Sequence, residues 1–383
     1  MKKIAISVLA LTLAVLLATP AMAAKIEPYA SMRMGTYWST VDPNVDGMDS
    51  DSDLNMDLAD ISRFGARGQV GDIYGVVEVG LRGSKNDAGY GVSDSTAYYN
   101  RQVYTRLLYG KWDFGAGNLL VGQDYTPITF PSAQQGPGIF NLQNGFISVG
   151  CMWDRRWPQV KVTLDNGLIL AAVEAYAGTN VAGYEAPPAG TMAGGDYDVT
   201  IPKLYIAYEF KREGIYLSPG FGYNTYDYDD TGMGGTFDDT VDSYVVYLKG
   251  KWDPGAVGFQ FAGHYGQNIN DFGILGRPAA AGGRVSAATG ELEDATSWGG
   301  YIQVAFKVDP TTISLGWGYV SDENDAVGPE ADEKMGIFLN CKVPIAETFF
   351  VTPEITWWDG MDNAMGVEEA DSWHLGLTWQ MDF

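Results

Sequence analysis

What most constrains this chain is a two-residue alternation that keeps ionised groups on its polar side, segment after segment. Trp373, Leu375, Leu377, Trp379, Met381 and Phe383 alternate with Ser372, His374, Gly376, Thr378, Gln380 and Asp382. A period of two places the two sets on opposite faces of an extended strand. The pattern recurs where Ile337, Leu339, Cys341 and Val343 oppose Asn340 and Lys342, and where Phe349, Val351, Ile355 and Trp357 oppose Thr352, Glu354 and Thr356. Ile302, Val304, Phe306 and Val308 oppose Tyr301, Gln303 and Lys307, and Leu204, Ile206, Tyr208 and Phe210 oppose Lys203, Tyr205 and Glu209. A packed core cannot hold that many charges, because each is costly to desolvate. An apolar exterior around a wet interior can. The fold class expected is all-β, a transmembrane antiparallel β-barrel.

Punctuation between the alternating runs sets the strand number. Short turns are predicted at Gly71-Asp72, Gly115-Ala116-Gly117, Asp165-Asn166-Gly167, Arg212-Glu213-Gly214, Pro254-Gly255, Asp309-Pro310-Thr311 and Ile345-Ala346-Glu347. Longer polar stretches lie near 38–59, 84–100, 127–152, 179–200, 227–241, 267–296, 321–333 and 359–371. Seven short turns and eight long loops imply about 16 strands, the short turns at one rim and the long loops at the other. No stretch of eighteen apolar residues offers a spanning helix. With 49 glycines, 13% aromatic and only 19% charged residues, the composition suits twisted strands with aromatic girdles.

At the N-terminus, Lys2 and Lys3 precede an uncharged run from Ile4 to Leu17, then Pro20 and the small-residue pattern Ala21-Met22-Ala23. This order reads as a secretory signal peptide over 1–23. The run is too short for a spanning helix. Residues 24–383 are then one domain, with no linker or composition break. Without Lys2 and Lys3 there remain 22 basic residues against 48 acidic, a net charge of -26. So acidic a chain is not expected to bind nucleic acid through its phosphates. Cys151 and Cys341 are too few for a disulfide framework, and Cys341 has lipid-facing parity.

Three passages resemble the general, trimeric Gram-negative outer-membrane porins. Ser62-Arg63-Phe64-Gly65-Ala66-Arg67-Gly68 looks like their second strand, where basic side chains line the pore. Asn100-Arg101-Gln102-Val103-Tyr104, Trp112-Asp113-Phe114-Gly115 and Val121-Gly122-Gln123-Asp124-Tyr125-Thr126-Pro127 are similar to their fourth and fifth strands leading into the third loop. The last strand, ending in Phe383, looks like the signal read by the outer-membrane assembly machinery. The resemblance implies a homotrimer in the cell outer membrane, in contact with lipid and lipopolysaccharide. It also implies a long third loop, 127–152, folded into the lumen, and passive diffusion of small hydrophilic solutes and ions. A substrate-specific channel, or a structural surface barrel whose acidic loops are bridged by divalent cations, are the alternatives. The chain departs from the family pattern in two ways. No charged residue lies between Tyr125 and Trp153, where Gln134 and Gln135 are amides, and Gln123 stands where an arginine is common.

The expected pore lining comprises Arg33, Arg63, Arg67, Arg82, Glu78, Gln123, Asp124, Gln134 and Gln135. In Arg106, Arg155 and Arg156 strand parity is ambiguous. The stretch Asp42-Pro43-Asn44-Val45-Asp46-Gly47, followed by Asp53, has calcium-loop spacing with Asp in place of the final Glu. Asp42, Asn44, Asp46, Asp53 and the Met48 carbonyl could surround calcium, Gly47 permitting the turn. The plainer reading is a solvated acidic loop. No cofactor is required by any motif. His264 and His374 are the only histidines and lack a nearby Ser-Asp or metal constellation in sequence. No enzyme is expected.

Overall fold

The computed structural model describes residues 25–383 except 43, 45–49, 60, 83–101, 132–148, 176–195, 230–237, 275–281 and 286–290. Sixteen antiparallel strands close into a barrel. In chain order they are β1 (Lys25–Asp42), β2 (Asp51–Leu58 resumed as Arg63–Val70), β3 (Ile73–Arg82), β4 (Gln102–Asp113), β5 (Gly117–Tyr125), β6 (Arg156–Leu164) and β7 (Leu168–Val173). The strand β8 is built of three pieces, Asp196–Asp198, Lys203–Tyr208 and Phe210–Arg212. There follow β9 (Ile215–Asp229), β10 (Asp238–Trp252), β11 (Val257–Gln267), β12 (Thr296–Val308) and β13 (Thr311–Glu323). The last three are β14 (Asp332–Ala346), β15 (Phe349–Asp359) and β16 (Asp371–Asp382). Each pairs with its chain neighbours, and β1 pairs with β16 over Ser31↔Asp382 to Asp42↔Asp371, which closes the sheet.

The seven short turns join strands where the sequence placed them, so all the long connections lie at the opposite rim. The first of these is shorter than its polar composition suggested. β1 runs up to Asp42 and β2 resumes at Asp51, with register Val41↔Asp51 to Met34↔Leu58. Backbone pairing across an antiparallel ladder makes this acidic stretch part of the wall, since β1 is paired with β16 on its other side up to Asp42. Lower down, β2 is interrupted at 59–62. The Ser62 hydroxyl accepts from Arg33 N–H (2.9 Å) and donates to the Arg33 carbonyl (2.9 Å), replacing the ladder bonds lost there.

Burial is inside out. Leu375, Leu339, Leu315 and Ile206 are exposed on the outer wall, whereas Lys203, Ser243, Gln303 and Glu354 are buried within. Aromatic pairs band the outside at both rims. Trp112–Phe114 (5.9 Å between rings) and Trp252–Phe259 (5.1 Å) flank short turns, and Trp357–Trp373 (6.0 Å) and Trp317–Tyr319 (6.2 Å) lie towards the long loops. An apolar belt between aromatic girdles is the surface a bilayer requires, and no helix among the described residues is long and apolar enough to cross one. The barrel therefore spans a membrane through its strands. Because every wall strand is paired on both sides, the detergent-folded protein is expected to migrate compactly in cold SDS and to shift only on boiling. Identical mobility before and after boiling would contradict a closed barrel.

Candidate pore wall

The basic wall is organised by one carboxylate. Glu78 on β3 is buried and accepts hydrogen bonds from Arg106 Nε (2.7 Å) and the Tyr29 hydroxyl (3.0 Å), with Arg63 Nε at 3.3 Å. Arg106 is itself only 1% exposed. Its guanidinium also donates to the hydroxyls of Tyr104 (3.3 Å) and Tyr125 (3.1 Å). Desolvated arginine is tolerable because its planar fork is met on several sides.

Arg106 reaches this position because of a bulge. The β3–β4 register passes from Glu78↔Leu107 to Val79↔Thr105, leaving Arg106 as the extra residue. Tyr104 and Arg106 face inward, and beyond the bulge Tyr109 and Lys111 do so, while Leu108 is exposed outside. A bulge reverses the face on which the later residues of a strand fall. That is why strict parity could not assign Arg106.

The pairing of β5 corrects the reading of Gln123. This residue pairs with outward Leu108, and its neighbour Val121 is also exposed. Gln123 is thus on the outer parity, not in the pore lining. Its amide donates to the Thr105 carbonyl (2.9 Å) and the Arg106 carbonyl (3.2 Å), main-chain acceptors at the bulge.

The other expected lining residues divide by position. Arg33 faces inward with Nε on the Ser31 hydroxyl (3.3 Å). Arg67 is exposed, its guanidinium 4.6 Å from the centre of the Tyr29 ring. Asp124 faces inward and pairs with Lys161 Nζ at 2.7 Å. Arg82 lies in β3 paired with Gln102, and its side chain lies outside the described residues. Gln134 and Gln135 lie outside them altogether. Arg156 is inward, against Tyr125 (5.5 Å), Trp153 (5.6 Å) and Tyr104 (6.0 Å), whereas Arg155 is an exposed residue with φ 53.

Opposite this wall part of the interior is filled by apolar side chains, which the alternation alone did not show. Residues 126–131, 149–154 and 269–274 enter the barrel and bridge one another, Phe130 to Met152 and Met152 to Ile274. Ile128, Met152, Ile269 and Phe272 are fully buried and pack on inward Val173, Tyr205, Val245 and Tyr301. The fit is close. Gly150 has φ 75, and a Cβ there would strike the Gly300 backbone, so both features call for glycine. The 127–152 connection is described only at these two ends, which lie against the lumen wall.

A buried ionic knot anchors the inserted segments. Lys203 Nζ donates to both Asp154 carboxylate oxygens (2.9 Å each) and to the Asp271 carbonyl (2.8 Å), and the Tyr205 hydroxyl also donates to Asp154. The Asp271 carboxylate accepts from Asn224 Nδ2 (2.8 Å) and Ser243 Oγ (2.7 Å). Sequence reasoning noted Lys203 only as a polar-face residue and missed Asp154 and Asp271. A lone aspartate next to Arg155-Arg156 carries no sign of a partner forty-nine residues on.

Of the calcium set, Asp42 and Asn44 are exposed, with Asn44 N–H on Asp42 Oδ1 (3.2 Å) and Asn44 Nδ2 donating to the Glu369 carbonyl (2.6 Å). Asp46, Met48 and the side chain of Asp53 lie outside the described residues. Among the described residues no group of three or more His, Cys, Asp or Glu side chains could hold a metal ion. His374 is buried on the inner face, Nδ1 2.8 Å from Ser39 Oγ and Nε2 3.3 Å from Ser372 Oγ. His264 is also inward and buried. Cys151, buried in the inserted segments, and Cys341, on the wall, are not joined by a disulfide.

No protein-family model matches the chain, and no curated protein matches it in sequence. Solved structures do. The outer membrane channel DcaP of Acinetobacter baumannii superposes with a TM-score of 0.68 at 17% identity, over 94% of this chain and 97% of that one. OmpF of Salmonella typhi, in complex with daunomycin, gives 0.61 at 10%, over 93% and 98%. The anion-selective porin of Comamonas acidovorans gives 0.57 at 11%, over 94% and 100%. The chain has the porin fold. Its membrane-spanning exterior and charged inner wall are thus those of a porin-fold barrel along nearly their whole length, while the ionic knot and the Glu78 hub are described from this chain's own residues.

Proposed function

We propose that this porin-fold barrel is a passive channel of the cell outer membrane for small hydrophilic solutes and ions. The observation that carries it is a closed, outwardly apolar barrel whose solvent-reached inner face is polar and charged, with Arg63, Arg67, Lys111, Lys161 and Asp124 partly or fully accessible along it. A wall of mixed charge in a narrow aqueous path biases which ions pass. The inserted segments narrow that path on the β7–β13 side, and solute flux follows the concentration gradient with no catalytic step. The buried, hydroxyl-bonded state of His374 supports a wall role rather than a catalytic one.

Single-channel recording in planar bilayers tests this, with the reversal potential read in a salt gradient. Defined, open conductance is expected. Stable insertion without conductance would favour a purely structural barrel. Replacing Arg63 and Arg67 together by serine is expected to move the reversal potential towards cations, since both side chains reach the lumen. An unchanged value would place them off the ion path. Conductance that saturates with one solute class would favour the substrate-specific alternative, for which the apolar packing around Ile128 and Phe272 is the supporting feature.

The resemblance to trimeric porins and the exposed apolar wall support a homotrimer embedded in outer-membrane lipid and lipopolysaccharide, delivered by a signal peptide over 1–23 and assembled through the strand ending in Phe383. Light scattering of the detergent-solubilised protein checks the stoichiometry.

A further inference from the structure

Two neighbouring side chains on the inner wall are buried without hydrogen bonds. His264 on β11 is 6% exposed, and neither Nδ1 nor Nε2 has a partner among the described residues. Tyr247, opposite it on β10, is 2% exposed and its hydroxyl is likewise unpartnered there. Buried polar groups are ordinarily satisfied, so an imidazole with both nitrogens orphaned calls for a reason.

Glycines make room for the ring, and the inserted segments close over it. On β12 the opposite residue is Gly299, and the next inward residue along β11 is Gly266. Ile269 lies over Gly266, and Gly150 lies against the backbone of Gly300. Ala262, the inward residue on the other side, belongs to the apolar cluster of Ile128, Val149 and Ile269. The ionisable groups on the surrounding elements are already engaged elsewhere. Lys249, the diagonal neighbour on β10, donates to the Pro127 carbonyl, and the Tyr301 hydroxyl on β12 donates to the Phe130 carbonyl (3.2 Å). Of the inserted residues, Asp154 is held by Lys203 and Tyr205, and Asp271 by Asn224 and Ser243. Ser243 is four residues along β10 from Tyr247, roughly 13 Å away. Cys151 completes the set. No carboxylate reaches the ring, and Lys249 would be a like charge beside an imidazolium.

Resting on the channel reading above for its consequence, we propose that His264 makes the seating of residues 149–154 and 269–274 sensitive to acid, and with it the width of the path. A neutral ring packs beneath these segments at modest cost. A protonated ring carries two N–H donors and a charge, and burying them unpaired is far costlier. Once the segments lift, water reaches the imidazole, which takes up its proton near pH 6.5 as an ordinary histidine does. Proton uptake thus belongs to the lifted arrangement. Above about pH 6.5 the packed arrangement keeps its full stability, and below it each pH unit favours lifting by up to about tenfold. Ordinary carboxylates titrate about two units lower, which leaves the first steps of acidification to the histidine.

Hydrogen exchange of the detergent-folded barrel tests it, read at about pH 7.5, 6.5 and 5 on the amides of 149–154 and 269–274 and corrected for the intrinsic pH dependence of exchange. Opening of these segments is expected to rise roughly tenfold between pH 6.5 and 5, while the amides of β15 and β16 stay as they were. His264→Phe, which cannot take up a proton, and His264→Gln, which keeps a polar group, are each expected to abolish the rise. Either variant suffices if the other does not fold. His374→Gln, on β16, is expected to retain it. Unchanged exchange in the wild type, or the same rise in a folded His264 variant, would overturn the proposal. In bilayers the same acid step is expected to raise single-channel conductance in the wild type and not in the His264 variants. Conductance that stays constant while exchange rises would overturn the link to the path. No conductance at any pH, with the exchange rise intact, would count against the channel reading and leave the role of His264 standing.

Discussion

Replacing Glu78 by alanine is expected to destabilise the barrel by about 3–5 kcal/mol, the cost of stranding one member of a buried ion pair. The reason is Arg106, which is 1% exposed and, among the described residues, would keep the Tyr104 and Tyr125 hydroxyls as partners. Arg63 would lose its carboxylate as well. Glu78→Gln keeps an acceptor and should lie between wild type and alanine. Urea denaturation of the detergent-folded barrel, followed by tryptophan fluorescence, measures this. The same variant should move the reversal potential towards anions, because a negative charge leaves a wall that holds Arg33, Arg63 and Arg106. Wild-type stability in Glu78→Ala would show that the hub is not what makes Arg106 tolerable.

A comparable effect, with a different readout, is expected at Lys203. Lys203→Met strands Asp154 beside Tyr205 in a fully buried place and removes the donor to the Asp271 carbonyl. A loss of about 3–5 kcal/mol is again the scale, but here it falls on the inserted segments rather than on the wall ladder. Residues 126–131 and 149–154 should become cleavable by protease, and single-channel conductance should rise. Combining Lys203→Met with Asp154→Leu removes both charges, and most of the loss should be recovered. A double-mutant cycle gives the coupling directly. Additive effects in that cycle would mean that the two side chains act independently of their contact.

How much of this was legible beforehand depends on the length scale of each signal. The wall strands were, because alternation and turn residues are local and repeat sixteen times. The seven short turns fell where Gly, Pro and Asp cluster. The bulge at Arg106 was not, since a single extra residue leaves the composition of β4 unchanged and is visible only through its partner on β3. Gln123 was misassigned for another reason: it was placed by resemblance, although alternation within β5 sets it beside outward Val121 and opposite Asp124. The apolar filling of the lumen was hidden differently. Ile128, Val149, Met152 and Phe272 lie in connections between strands, where an apolar residue has no period to betray its face. Of the wall residues, Arg63 and Arg67 were readable because they share one parity opposite Phe64 and Ala66 in an unbulged run.

The seam between β1 and β16 has a kinetic meaning. Every other wall pairing joins strands adjacent in the chain, whereas Ala30 and Phe383 exchange main-chain hydrogen bonds at 3.2 and 2.9 Å across almost the entire length of the polypeptide. Joining ends some 350 residues apart rather than about 20 adds roughly 2.5 kcal/mol of chain entropy by the logarithmic scaling of loop formation. Hairpins can therefore zip early and independently, and this one contact forms last and governs the rate. Until it does, two long apolar-faced edges stand unpaired at once, so the time spent as an open ribbon is when this protein is most prone to aggregate.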